Sequence, residues 1–363
     1  AFRPNISTRP MRQALMLDNV LASKELALSI GLFLGLKAAT RLCITKQDNE
    51  QSIGHLLAAI KDFDQLIVVA GGQLGGTALD TVEAFDPTVG VWTSLPPMPT
   101  PRFACAAAAF QGGLYVIGGC LGMPYPDEAC GNMELFRPSA NKWMRMPPMP
   151  TSRIRPAALV ANGHLYVVGG AGSDARVVGS MERFDPGFCS WSKMADMPTP
   201  RRDFGATVIN NCLYIVGGTR TPVRIQFTCN HVPPPLDNLQ HFDVESATWG
   251  TSPCMPTPRW GCAAGAWQGR MYVIGGAHID GSPVETVEAF DPSCQTWCRV
   301  TACIPGRLLP VASHVGGVLY SLRVKQSTGE GESLQCFHRR SLLKEVPLRT
   351  GRYACASSAL HRC

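Results

Sequence analysis

The chain has 363 residues, a net charge of +6, 17% charged residues, 36 glycines and 29 prolines. The length allows a large core, and the composition suits many short strands joined by tight turns. The charge is mild and diffuse, so it excludes a nucleic-acid footprint while leaving a preference for acidic partners. Fifteen cysteines include no C-x-x-C pair, the nearest approach being Cys294 and Cys298. That spacing argues against structural zinc, and no metal or other cofactor is expected. Cys105, Cys212, Cys262 and Cys355 fall inside predicted strands, where a thiol acts as a small buried apolar group. An odd cysteine count without spacing logic fits a reducing cytoplasm.

Residues 1–52 stand apart from the rest of the chain. Met11 to Leu42 has helix-forming content with mixed periodicity, so one or two helices or an irregular extension are expected. The apolar run Leu26 to Leu36 lies between Glu25 and Lys37 and is too short to span a bilayer. No basic head and cleavage site frame it as a signal peptide.

From Leu66 onward the chain repeats itself with a period of about 50 residues, the mark of a propeller or array. An aromatic opens a turn at Phe85, Phe136, Phe184, Phe242 and Phe290. A tryptophan follows each after 7 residues: Trp92, Trp143, Trp191, Trp249 and Trp297. An arginine follows each tryptophan after 10: Arg102, Arg153, Arg201, Arg259 and Arg307. A double glycine begins 16 residues later at Gly118, Gly169, Gly217 and Gly275, and is lost at Arg323. Within a repeat, strand a follows the arginine (Phe103–Phe110) and strand b ends at the double glycine (Leu114–Ile117). Strand c ends at the aromatic (Val82–Phe85), and strand d carries the tryptophan (Val91–Leu95). The glycines permit positive φ and close backbone approach. In the turn, proline presets φ and aspartate bonds its own backbone. Each tryptophan is expected to fill the space between neighbouring blades.

The segments LYVIGG (114–119), VEAFDP (82–87 and 287–292) and PPMPTPR (96–102) make this pattern resemble the kelch repeat over about residues 66 to 363. The resemblance implies an all-β, six-bladed propeller over residues 53–363, after the N-terminal extension of 1–52. The repeats are placed at about 66–101, 102–152, 153–200, 201–258, 259–306 and 307–351. The last is degraded: it keeps Arg307, Leu319-Tyr320 and Phe337 but loses the glycines and the tryptophan. After it, Arg352 to Leu360 matches Arg102 to Phe110 in pattern. That extra strand a is expected to complete the first blade and close the ring, removing an exposed edge. His55 to Ile60 is the competing candidate.

The interval from double glycine to aromatic varies: 14, 18, 15, 25, 15 and 14 residues. It is the b–c loop, and loops that tolerate insertion on one face mark the binding face of a repeat protein. Because strands alternate in direction, b–c and d–a loops emerge on the same rim. The repeated Arg102, Arg153, Arg201, Arg259, Arg307 and Arg352 are expected to be structural, bonding carboxylates and carbonyls between blades. A glutamate (Glu83, Glu134, Glu182, Glu288) or glutamine (Gln240, Gln335) stands two before each aromatic. In kelch-like substrate adaptors the varying positions beside these features line a peptide-binding mouth. Carried onto this chain, the resemblance gives Gln73, Phe103, Cys120, Ile154, Arg155, Arg202, Thr219, Arg220, Arg224, Trp260, Lys325 and Tyr353. Phe103, Trp260 and Tyr353 serve as apolar anchors and the basic residues supply charge.

No Ser/His/Asp or Cys/His motif, P-loop or dinucleotide fingerprint is present, so no catalytic residues are assigned. The expected function is capture of a protein or peptide partner, possibly acidic, with neither nucleic acid nor membrane involved. The resemblance implies substrate recognition for a cullin-RING ubiquitin ligase, through a cullin-binding domain outside this chain. The alternative is a stand-alone kelch scaffold or an actin-associated cytoskeletal protein.

Overall fold

The computed structural model describes residues 65–361 apart from 75–76, 88, 123–128, 224–233, 304–310, 316–317, 324–332, 339–340 and 348–355. Beyond Val300, side chains are described only at Ala312, Leu319 and Tyr320. Gln65–His361 form one compact unit. The expected extension of 1–52, His55–Ile60, Arg307 and Arg352 lie outside the described residues.

The repeat builds a four-stranded antiparallel sheet in chain order. The first complete example runs Ala106–Phe110, Gly113–Ile117, Met133–Arg137 and Lys142–Met146. The same order recurs within residues 157–193, 205–252, 263–303 and 311–347. A further four-stranded sheet is a composite. Ala356–His361 from the far end of the chain pairs antiparallel with Gln65–Ala70, which carries Val82–Asp86 and Val91–Leu95 on its other side. The register is continuous from Gln65↔His361 to Ala70↔Ala356.

The expected count of six blades is therefore corrected, while the expected helical or irregular N-terminal extension lies outside the described residues. Among the described residues, five blades of four consecutive strands are found. Repeats counted along the sequence are not the same as blades, because the first unit has only strands b, c and d of its own. No complete α-helix occurs among the described residues, which hold one 3-10 turn at Pro138–Ala140.

The core lies between neighbouring sheets. Strand b residues are buried on both faces, as in Leu114 to Ile117, which explains their unbroken apolar runs. Val68, Ala70, Val82 and Ala84 of one sheet pack on Leu114, Val116 and Phe136 of the next. Each repeat aromatic and its tryptophan form a cross-strand pair, with ring centroids 5.1–5.3 Å apart in five repeats. The indole N–H then reaches the preceding repeat. Trp143 Nε1 donates to Pro96 O at 2.8 Å, Trp191 to Pro147 O at 3.0 Å, Trp249 to Ala195 O at 2.9 Å and Trp297 to Pro253 O at 2.8 Å.

The turn between strands c and d is shaped by its aspartate. Asp185 Oδ1 accepts from the N–H groups of Gly187 (2.8 Å) and Phe188 (3.1 Å). Asp243 Oδ1 does the same for Glu245 and Ser246. The residue two before each tryptophan has positive φ, whatever its type: Gly90, Asn141, Cys189, Ala247 and Gln295.

Candidate functional site

The linker from strand d to strand a lies along the b–c loop of its own repeat, so both share one rim. Met98 N donates to Asp80 O, Met149 N to Gly131 O, Met197 N to Gly179 O and Met255 N to Asp237 O, all at 2.7–2.8 Å. The four methionines are buried and anchor these linkers.

The repeated arginines staple one blade to the next. The backbone of Arg153 sits against the preceding b–c loop: Gly119 N donates to Arg153 O at 2.9 Å, and Arg153 N donates to Cys130 O. Its side chain reaches into the following sheet, where Nη1 donates to Gly169 O (3.2 Å) and Ser180 O (2.7 Å). Nη2 pairs with Glu182 at 3.1 Å. Arg102–Glu134 and Arg259–Glu288 repeat the pair at 2.9 Å, and Arg201 Nη2 instead donates to Gln240 Oε1 at 2.8 Å. All four arginines are fully buried. The close approach requires glycine: a Cβ on Gly118 (φ +64) would lie 2.7 Å from Arg153 O. Burial lowers the guanidinium pKa of Arg153 and Arg259 while their glutamates oppose the shift. Arg201, with glutamine as partner, is pushed down to about 10 by burial.

One residue past each arginine, the chain forms an isolated bridge to the residue past the double glycine. The pairs are Phe103↔Cys120, Ile154↔Ala171, Arg202↔Thr219 and Trp260↔Ala277. One residue further, Ala104, Arg155, Asp203 and Gly261 all take positive φ. These residues link blade to blade around the mouth: Arg155 N donates to Ala104 O (2.7 Å) and Gly261 N to Asp203 O (2.6 Å).

This geometry changes the site read from the sequence. Phe103, Cys120, Ile154, Arg202, Thr219 and Trp260, all expected at a contact surface, are buried. Their backbone is consumed by the bridges, and the left-handed residue after the arginine's neighbour turns each side chain inward. Phe103, Cys120 and Ile154 pack together with Ala104, Ala171, Ala175 and Val223. Trp260 Nε1 is buried without a hydrogen-bond partner among the described residues. Of the remaining expected residues, Gln73 is half-buried and Arg220 exposed. Arg224, Lys325 and Tyr353 lie outside the described residues.

Arg155 and Arg202 converge on Asp203. Arg155 Nη1 donates to Asp203 Oδ1 at 2.5 Å, and Arg202 Nη1 pairs with Oδ2. Arg202 Nε also donates to Thr221 O at 2.8 Å. Burial alone would raise the Asp203 pKa, but the two guanidinium groups outweigh it and hold the carboxyl below its ordinary value. Asp203 thus neutralises part of the charge expected at the mouth.

The exposed positions on this rim lie one step further along the b–c loops. Leu74 and Leu121, each two past its double glycine, are 61% and 37% exposed, and Ile279, three past, is 66% exposed. Arg220 stands at the position equivalent to Leu74, and Asp174, Arg176 and Asp280 add charge of both signs. Exposed leucine and isoleucine next to a strand-ending double glycine were the available sequence signal.

Among the described residues no group of three His, Cys, Asp or Glu could hold a metal ion. Cys105 is buried and its thiol is pushed up to about 12, chiefly by burial with Arg102 opposing, which leaves it an apolar group. No helix among the described residues is long and apolar enough to cross a membrane.

The profile described as KLHDC2/KLHL20/DRC7 Kelch-repeats domain matches residues 37–218, half of the chain. The chain belongs to the kelch-repeat family. The Kelch motif also matches 200–256 and 258–303. Among relatives, Kelch-like ECH-associated protein 1A of Danio rerio is 36% identical over 30% of this chain and 18% of its own length. F-box/kelch-repeat protein At1g67480 of Arabidopsis thaliana is 34% identical over 56% of this chain and 40% of its own. Alpha-scruin of Limulus polyphemus is 29% identical over 38% of this chain and 15% of its own. The chain spans less than half the length of each of these relatives. The solved structure of YjhT shares the fold, with TM-score 0.61 and 16% identity over 76% of this kelch chain and 96% of that one.

Proposed function

We propose that this kelch chain is a non-catalytic interaction module. It captures an extended segment of a partner protein on the rim formed by the b–c and d–a loops. The observation that carries this reading is the exposure of Leu74, Leu121 and Ile279 on one rim whose base is locked by blade-to-blade bonds. Apolar side chains on a rigid frame offer burial area at little ordering cost. The net charge of +6 favours an acidic partner. The relatives named Kelch-like and F-box/kelch-repeat support a setting in ubiquitin-ligase substrate recognition in the cytoplasm, with the cullin-binding part outside this chain. The scruin relatives favour the second reading, a cytoskeletal scaffold without ligase involvement.

Proximity labelling with the full chain, wild type against Leu121→Asp/Ile279→Asp, tests the rim. Loss of the labelled partners with unchanged melting is the expected result. Retention of every partner would place the contact elsewhere. Cullin recovered with the full-length protein, and retained when the rim is changed, separates the ligase setting from the scaffold.

A further inference from the structure

We propose that Thr219–Val223 occupy the mouth as a built-in stand-in for a partner peptide, which must be displaced before capture. The proposal rests on the rim reading above and names the peptide class: a bent segment with a small aliphatic side chain directly after a proline.

The b–c interval after Gly217 is 25 residues, against 14–18 elsewhere. It begins as the others do, with Thr219 bridged to Arg202. The chain then turns inward, and Thr219 Oγ1 accepts from Thr221 N at 3.1 Å. Two backbone bonds hold the next residues in the manner of a bound ligand. Thr221 O accepts from Arg202 Nε at 2.8 Å, and Val223 N donates to Ala175 O at 3.1 Å. Between them Pro222 restricts the backbone, so little order is lost in binding. Val223 is 1% exposed and packs with Phe103, Ile154 and Ala175, which belong to the two preceding repeats.

The mouth therefore has an apolar floor, one side-chain donor aimed at a peptide carbonyl and one backbone acceptor aimed at a peptide N–H. Asp203 positions the donor by gripping both Arg202 and Arg155. A single buried valine and two backbone bonds hold the segment, few enough contacts for exchange. A tethered segment acts at an effective concentration in about the millimolar range. A free peptide thus meets a mouth that is available only part of the time, and its apparent affinity falls by that fraction.

The test uses the full chain and a fluorescent peptide of residues 218–224 (Gly-Thr-Arg-Thr-Pro-Val-Arg) read by anisotropy. Val223→Gly empties the floor without burying a charge, and Val223→Asp expels the segment outright. Both variants are expected to bind the peptide about tenfold tighter than wild type, and a peptide with aspartate in place of valine is expected not to bind. Equal binding by wild type and both variants, or binding by none of them, would overturn the proposal. If the peptide fails while partner labelling still depends on Leu121 and Ile279, this inference falls and the rim reading stands. If labelling is indifferent to those residues, the rim reading falls as well.

Discussion

Replacing Arg153 by methionine tests the staple between blades. The change keeps most of the aliphatic stem and removes only the guanidinium. Glu182 is then left buried with Thr151 Oγ1 at 2.5 Å as its remaining described partner, and the carbonyls of Gly169 and Ser180 lose a donor. Breaking a buried pair from one side costs about 3–5 kcal/mol, and each orphaned carbonyl adds about 1–3 kcal/mol less whatever water recovers. A loss of about 5 kcal/mol is expected, a large share of the ~5–15 kcal/mol that holds a folded protein together. Glu182→Gln should be far milder, about 1 kcal/mol, because the chain already uses glutamine there: Gln240 accepts from Arg201 at 2.8 Å. In the double variant no carboxylate is stranded, so it should recover about 2 kcal/mol relative to the sum. Urea unfolding followed by tryptophan fluorescence reads all three. A cost below about 1 kcal/mol for Arg153→Met, or equal costs for the two single variants, would refute the staple.

Acid provides a second test. The folded pKa of Asp203 is depressed, so its contribution is complete above the unfolded carboxylate value of ~3.9 and is lost as pH falls through the lower folded value. Asp203→Asn should flatten the melting temperature against pH in that window, and an unaltered acid limb would contradict it. Ala247 has φ of 54°, a left-handed conformation that costs a residue with a Cβ about 1–2 kcal/mol. Ala247→Gly should stabilise by about 0.5 kcal/mol after the entropy of the freer unfolded chain is subtracted, which thermal melting can resolve. Deleting 356–363 removes the strand paired with Gln65–Ala70 and bares an apolar edge. The cooperative melt should broaden or vanish; an intact transition would show that the closing strand is dispensable.

Much of this architecture was readable because each device recurs at fixed spacing. The arginine, its glutamate and the double glycine meet in one bonded unit, and the sequence repeats all three together. The closing strand was readable for the same reason, since the chain ends in an unmatched copy of strand a. The mouth was harder. The left-handed residue two past each arginine is Ala104, Arg155 or Asp203, and side-chain type gives no sign of positive φ except at Gly261. Without that turn, Phe103 and Arg202 look like free ends of a strand; with it they point into the molecule. Val223 is a single helical residue at the edge of the described stretch, where neither a period of 2 nor of 3.6 can be read to single out a buried position.

Hydrogen exchange on the full chain, with and without the partner recovered by proximity labelling, is the most direct measurement. Slowed exchange is expected at 73–78, 120–122, 171–178 and 277–283, on the b–c loops, and faster exchange at 219–223 as that segment is displaced. Protection confined to the opposite turns, around Phe188 and its equivalents, would contradict capture on this rim.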